Sequence, residues 1–242
     1  MRRKSRELLV ARLLPLIDLF GNTGKRMELK INEVEYAFRW CPAGTFMMGN
    51  ADNQHRVGLS RGFWLLETEV TQAMWMSVTG DNPSDFKGAK LPVETVSWND
   101  CQEYIKKLND MKVAPAGFKF SLPTEAQWEY ACLAGTTTAY HFGDSLTQQQ
   151  ANFSGNQTKD VGSYPANAWG LKDMHGNVWE WVQDVYGDYP SGAVTDPTGA
   201  SSGSNRVLRG GVGTSMPSIA GLRFGATSIR RSGTTPSDSV SP

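Results

Sequence analysis

The stretch GLKDMHGNVWEW, residues 170–181, combines a tight turn with a dense set of oxygen-bearing side chains. Asp173, Asn177 and Glu180 fall within eight residues, around Gly176, whose missing side chain lets the backbone turn. Carboxylate and amide oxygens are the ligands that hard cations prefer, whereas zinc prefers nitrogen and sulfur. The stretch therefore favours a calcium site over a zinc site.

The residues alone leave two interpretations of this turn open. In the first, the main-chain carbonyls of Gly176 and Val178 point to the same centre as the side chains and add to a calcium shell. In the second, the turn is a tight hairpin whose acidic side chains only cap backbone amides. His175, within the turn, is predicted to be exposed or structural.

The residues after the turn alternate as in a β-strand. This alternation predicts that Trp179 and Trp181 point to the core while Glu180 faces the loop side.

Upstream, helix signals are clear. Residues 69–78 predict a short helix. Ser97 is a suitable N-cap for the next helix, whose apolar stripe consists of Trp98, Cys101, Ile105 and Leu108. Thr124 and Gln127 form a capping box for a third helix that Gly135 ends, and its core positions are Trp128, Ala131 and Cys132.

Strand signals lie before these helices and irregular sequence after them. Residues 27–40 alternate as in a strand, and residues 55–70 predict a strand pair. Beyond Gly135 helical periodicity is lost, although large apolar side chains continue. We therefore predict one α+β domain over residues 27–242, with function carried on loops, after an N-terminal extension, residues 1–26, that is helical or disordered.

The amino-acid composition narrows the classes of partner. The formal net charge is zero. Hydrophobic residues make up 39% of the chain and aromatic residues 10%, which is enough to form a buried core. Both ends of the chain carry an excess of basic residues, which we interpret as solvated, so no nucleic-acid partner is expected. No apolar run is long enough to span a bilayer.

The cysteines and histidines show no metal-binding spacing. Cys101 and Cys132 are predicted to be packing residues, and a reducing compartment is the simplest context for free thiols. The spacing of the other cysteine and of the three histidines suggests no metal-binding cluster either; these residues are Cys41, His55, His141 and His175.

Five blocks occur in a fixed order: RGFWLLETEVTQAMW, NPSDFKGAKLPVETVSWNDCQEYIKKLN, FSLPTEAQWEYACLAGTTTAYHFGD, GLKDMHGNVWEW and RVLRGG. Together they resemble the signatures of the formylglycine-generating enzyme family, also called the sulfatase-modifying-factor domain, over about residues 27–211. The resemblance implies a variant of the C-type lectin fold with little regular secondary structure and with structural calcium. It places one calcium site at Asp173, Gly176, Val178 and Glu180, and part of a second at Asn152 and Phe153, although the following loop is short.

The segment after Gly211 departs from this family. The resemblance implies two copper-binding cysteines there, but those positions are Ser215 and Ala220, and neither supplies the thiolate that copper(I) needs. We therefore expect no copper and no cysteine-to-formylglycine chemistry. Val212 and Gly213 replace a serine and an aromatic residue. No closing strand of the GFR type is identified, which predicts an unpaired edge on a neighbouring strand.

The function that survives is ligand binding without catalysis. The layout is similar to variable proteins of diversity-generating retroelements, in which the segment after RGG is rewritten at adenines and displayed to a protein or other macromolecular ligand. The alternatives are a formylglycine-generating oxidase for sulfatase maturation, a diverged pseudoenzyme, or an iron enzyme, for which three scattered histidines offer no cluster. The segment 212–242 is the candidate variable region, and its candidate ligand-binding residues are Val212, Gly213, Thr214, Ser215, Met216, Ser218, Ile219, Arg223 and Ser228.

Overall fold

The computed structural model describes residues 22–50 and 52–211 and the backbone of residues 229–231. Its first sheet is built on a hairpin between β1 (Arg26–Ile31) and β2 (Val34–Cys41). The two turn residues, Asn32 and Glu33, have φ values of 48° and 66°, which a two-residue hairpin of this handedness requires. β5 (Phe63–Leu66) pairs with the other side of β2. The predicted alternation therefore spans two strands of one sheet.

Two further three-stranded sheets complete the strand content of the described residues. The strands of the second sheet are β3 (Gly44–Met48), β4 (His55–Leu59) and β7 (Val194–Thr195), and those of the third are β6 (Trp179–Val185), β8 (Asn205–Gly210) and β9 (Ile229–Arg231). The second sheet has the order β3-β4-β7 and includes one parallel pair, β4 with β7. The third has the order β6-β8-β9 and is antiparallel throughout.

Three helices lie between β5 and β6: α1 (Gln72–Thr79), α2 (Trp98–Asp110) and α3 (Glu125–Leu133). The predicted caps are confirmed, since Ser97 and Thr124 each accept a hydrogen bond from the backbone of the third helical residue. After α3, Ala134 takes a left-handed conformation and Gly135 follows with φ of 91°. No helix follows among the described residues, as the loss of periodicity predicts.

The main core lies around α3. Trp128, Ala131 and Cys132 are at most 1% exposed, which confirms their predicted core positions. A second cluster forms between the first sheet and helices α1 and α2, where the rings of Trp75 and Tyr104 stack with centroids 4.8 Å apart. No helix in the described part of the chain is both long and apolar enough to cross a bilayer.

Two predictions about the third sheet are wrong. Trp179 and Trp181 are only half-buried and line a cavity of about 360 Å³, whereas Val182 occupies the core with 0% exposure. The edge predicted to be unpaired is paired, because β8 bonds to β9 from Val207↔Ile229 to Asn205↔Arg231. Residues 179–181 pair regularly with β8 and do alternate, but the faces are opposite to those predicted, since Glu180 and neither tryptophan bonds to the core residue Trp128.

Candidate metal centre

The turn at residues 173–177 is strained in a way that fixes its position. Asp173, Gly176 and Asn177 all have positive φ, at 57°, 83° and 61°. Gly176 forms a bridge with Asn152, and a Cβ added to it would lie 2.4 Å from the Asn152 carbonyl oxygen. Only glycine fits here, so the turn is held directly against the strand-like segment at Asn152.

Two acidic residues lie at this turn, Asp173, which is buried, and Glu180, which is half-buried. Asp173 is 5% exposed, and one of its oxygens accepts a hydrogen bond from the Gly162 N–H while Oδ1 has no hydrogen-bond partner. Glu180 accepts a hydrogen bond from Trp128 Nε1 at 3.1 Å. Desolvation raises the pKa of Asp173 to about 6 and that of Glu180 to about 7. Both groups therefore lack the solvation that their charged forms require.

A third acid, Glu69, joins the site and was missed by the sequence interpretation. Its carboxylate accepts hydrogen bonds from the Asn177 side chain at 2.7 Å and from the Val178 N–H at 3.2 Å. Desolvation and the charges of Asp173 and Glu180 raise the pKa of Glu69 well above its usual range. Glu69 precedes α1 and lies more than one hundred residues from its partners in sequence, so no local pattern identifies it.

Asn177 holds the turn together with its side chain. Its Oδ1 accepts hydrogen bonds from the Lys159 N–H at 2.9 Å and from Asn152 Nδ2 at 3.2 Å, while its amide group donates to Glu69 and to the Lys159 carbonyl. The amide of Asn177 is therefore occupied by protein groups, which makes it a positioning residue.

The oxygen donors of the turn fit a hard cation. The Val178 carbonyl oxygen and Glu180 Oε1 lie on one side of Gly210, 3.1 and 3.4 Å from the position that a Cβ would take there. Asp173 contributes a buried oxygen without a partner. A set of carboxylate and carbonyl oxygens with this much buried negative charge is the donor chemistry that calcium selects. The donor chemistry of Asp173, Val178 and Glu180 therefore suits the ion, and the Gly176 carbonyl stays a prediction of the sequence.

The second pair, Asn152 and Phe153, belongs to the same neighbourhood. The Asn152 carbonyl accepts the Asn177 N–H at 2.8 Å, and its side chain donates to the Gln157 carbonyl at 3.0 Å. Phe153 packs with Ala151. These contacts tie the pair to the turn of the first site.

The candidate ligand-binding positions from Val212 to Ser228 lie outside the described residues. So do Ser215 and Ala220 in their role as the positions of the family's copper-binding cysteines. The described chain reaches them from Arg209, which is 4% exposed and paired with Glu129. Gly210 and Gly211 follow with φ of 86° and 109°. The chain therefore leaves the third sheet directly after a buried ion pair.

The prediction of scattered histidines is wrong. His141 Nδ1 lies 2.9 Å from His175 Nε2, and the two rings stack with centroids 4.7 Å apart. Cys132 Sγ lies 3.9 Å from the same His175 nitrogen. His175 is 2% exposed, so of the two predicted environments the buried, structural one is correct. The sequence hides this cluster because its members lie on three separate segments.

The fold and the oxygen-lined turn define a formylglycine-generating-enzyme type variant of the C-type lectin fold, an α+β class with few helices. Residues 29–235 match the family described as sulfatase-modifying factor enzyme 1-like domain. The chain belongs to this family.

Individual relatives have diverse names. The chain is 40% identical over 133 residues to the serine/threonine-protein kinase pkn1 of Chlamydia caviae, covering 53% of this chain and 20% of that protein. It is 35% identical over 164 residues to the formylglycine-generating enzyme of Streptomyces coelicolor, covering 57% of this chain and 49% of the relative. The matches thus span between a fifth and a half of these relatives.

Among solved structures, Treponema denticola variable protein 1 is similar over most of the chain. It superposes with a TM-score of 0.76 and 28% sequence identity, covering 86% of this chain and 94% of that one. The similarity extends across nearly the whole of the variable protein, in contrast to the partial matches above.

Proposed function

We propose that this protein is a non-catalytic display protein, in which the scaffold ending at Gly211 presents residues 212–228 to a macromolecular ligand. The observation that carries the proposal is the similarity to Treponema denticola variable protein 1 over 86% of the chain. The topology supports it, because β8 before the segment and β9 after it are adjacent strands of one sheet. Both ends of the segment therefore start from the same part of the scaffold.

The thiols argue against the alternative of an oxidase with displaced cysteines. No cysteine follows Cys132 in the sequence. Burial raises the pKa of Cys41 and that of Cys132 well above the usual range, and desolvation with the nearby Asp100 charge raises the pKa of Cys101 to about 12. An oxidase of this kind needs two copper-binding thiolates that a substrate can reach, whereas Cys41 and Cys132 are both buried.

Calcium has a structural role in this proposal. Asp173 and Glu180, with the carbonyls of Gly176 and Val178, would hold the ion, and the ion would supply positive charge to carboxylates that are otherwise desolvated. The site lies against Gly210, at the end of β8. The ion would therefore stiffen the part of the scaffold from which the display segment departs.

The display proposal predicts that the segment tolerates substitution. Replacing Thr214, Ser215, Met216, Ser218 and Ile219 together by alanine should change the melting temperature little, since positions outside a core usually shift stability by less than about 0.5 kcal/mol each. Val207→Ala should lower the melting temperature clearly, because it truncates a buried side chain of β8, the strand that precedes the segment.

Binding is tested with a library randomised at these five positions and displayed on yeast. Selection against a purified, unrelated protein should give binders, and restoring the native five residues should abolish that binding. Unfolding of the alanine variant, or failure of the library to fold, contradicts display. Conversion of a cysteine in a sulfatase peptide to formylglycine, above a no-protein control, would favour the oxidase.

The calcium proposal predicts a melting-temperature response. After chelation, calcium at about 100 times its dissociation constant should add about 2.7 kcal/mol, or roughly 5–10 °C for a chain of this size. Glu180→Gln should remove the response by deleting a charged ligand, whereas Glu103→Gln, an exposed acid on α2, should retain it. Scanning calorimetry measures both, and an unresponsive native protein would leave only the hairpin-cap interpretation.

A further inference from the structure

We propose that Cys132, His141 and His175 form a mixed thiolate–imidazole site for a zinc ion, separate from the oxygen-lined turn. The three residues come from the last turn of α3, from the loop that follows it, and from the turn before β6. Their ligand atoms all lie within 4.8 Å of one another. The proposal does not depend on the display function.

The distances are close to those of a tetrahedral zinc centre. Zinc binds nitrogen at about 2.0–2.1 Å and thiolate sulfur at about 2.3 Å, so two nitrogens around it lie about 3.3 Å apart and a nitrogen and a sulfur about 3.6 Å apart. The observed separations are 2.9 Å between the His141 and His175 nitrogens and 3.9 Å from Cys132 Sγ to the His175 nitrogen. The third pair, Cys132 Sγ and the His141 nitrogen, lies within 4.8 Å, so the ligand atoms move by at most about 1.2 Å to admit the ion.

The donor chemistry selects a borderline-soft metal. One sulfur and two imidazole nitrogens suit zinc, whereas calcium takes oxygen ligands. Desolvation lowers the pKa of His141 to about 4, so this imidazole is neutral at physiological pH, the form that binds metals. Zinc binding would convert the buried Cys132 thiol to a thiolate and release one proton to solvent.

The surroundings combine an apolar wall with an opening. The Tyr140 ring meets His175 edge-on at 5.3 Å, and the Phe142 ring lies 3.8 Å from that of His141. Cys132 and His175 are 0% and 2% exposed, whereas His141 is half-buried. The ion would enter on the His141 side, and three protein ligands would leave a fourth position there for water.

The competing account is a hydrogen-bonded packing cluster without metal. In it, the Cys132 thiol donates to the Met174 carbonyl at 3.4 Å, and the two imidazoles share a hydrogen bond. This account predicts no preference for zinc, so metal binding by defined variants separates the two.

The test uses tag-free, full-length protein that has been stripped with a chelator and held in excess calcium to saturate oxygen sites. After zinc is added back and unbound metal is removed by gel filtration, we expect one zinc ion per chain by elemental analysis. Cobalt(II), which replaces zinc, should give a thiolate-to-metal charge-transfer band in the near ultraviolet. Cys132→Ser should remove this band, and both Cys132→Ser and His141→Gln should weaken zinc binding at least tenfold in a competition with a chromophoric chelator.

Matched controls are Cys41→Ser, a buried thiol elsewhere in the core, and His55→Gln, a buried histidine on β4. Both should bind zinc as the native protein does. If Cys132→Ser does not fold, His141→Gln still decides, because its side chain is half-buried and its folding is checked by circular dichroism. No zinc above background in the native protein, or native affinity in His141→Gln, overturns the proposal.

Discussion

Replacing Arg209 with methionine is expected to lower the free energy of unfolding by about 3–5 kcal/mol. Arg209 is 4% exposed, its guanidinium pairs with Glu129, and Glu125 Oε1 lies 3.7 Å away. The substitution keeps most of the apolar volume but leaves Glu129, which is 1% exposed, without its cation. Glu129 still accepts the Gly49 N–H, but a buried carboxylate without a countercharge is costly, so the loss exceeds that of the contact alone.

Urea denaturation followed by tryptophan fluorescence measures this effect. Arg56→Met, the same change at an exposed position of β4, should stay within about 0.5 kcal/mol of the native protein. The double variant Arg209→Met/Glu129→Leu should recover part of the loss, because replacing both members of a buried pair by apolar residues is often tolerated. Equal effects at Arg209 and Arg56 would show that the buried ion pair contributes nothing.

Asp184→Asn is expected to stabilise the protein at pH 8 and to change little at pH 4. Asp184 is 3% exposed, and it accepts the Glu125 N–H at 2.8 Å, a bond that an asparagine oxygen can also accept. Desolvation raises its pKa from 3.8 to about 7. The unfolded chain therefore loses this proton at lower pH than the folded protein does.

The sign of the effect follows from this difference. Below pH 3.8 Asp184 is protonated in the folded and the unfolded protein, and its burial costs little free energy. The free energy of unfolding falls as the pH rises from 3.8 to about 7. Above about pH 7 the folded protein bears the full cost of burying the charged carboxylate. A shift of about three units corresponds to at most about 4 kcal/mol, and we expect about 2–4 kcal/mol between Asp184→Asn and the native protein at pH 8.

Denaturation at a series of pH values gives the difference directly. Asp52→Asn, an exposed loop position, should show no such pH-dependent difference from the native protein. A difference that stays constant from pH 4 to pH 8 would mean that Asp184 does not carry the raised pKa.

Local signals in the sequence were sufficient where the cause is local. The caps at Ser97 and Thr124 need only neighbouring backbone groups, and both are present in the structure. The fold class follows from several motifs in order. The acids of the turn were also identified, because Asp173 and Glu180 lie within one short stretch.

Contacts between distant segments account for what was missed. Glu69 reaches Asn177 across 108 positions, and His141 reaches His175 across 34. Neither pair leaves a pattern in one sequence. Strand alternation misplaced Trp181 because a period of two shows which side chains share a face but not which face meets the core: Trp179 and Trp181 line the cavity, and Glu180 bonds to the core residue Trp128.

The pairing of β8 with β9 has a consequence for the lengths that the intervening chain can take. A segment whose two ends are fixed close together loses entropy in proportion to the logarithm of its length, so doubling the length costs only about 0.6 kcal/mol. Residues 212–228 begin and end at these paired strands. Insertions and deletions there are therefore thermodynamically cheap, and relatives that share this sheet can differ in the length of the segment as freely as in its side chains.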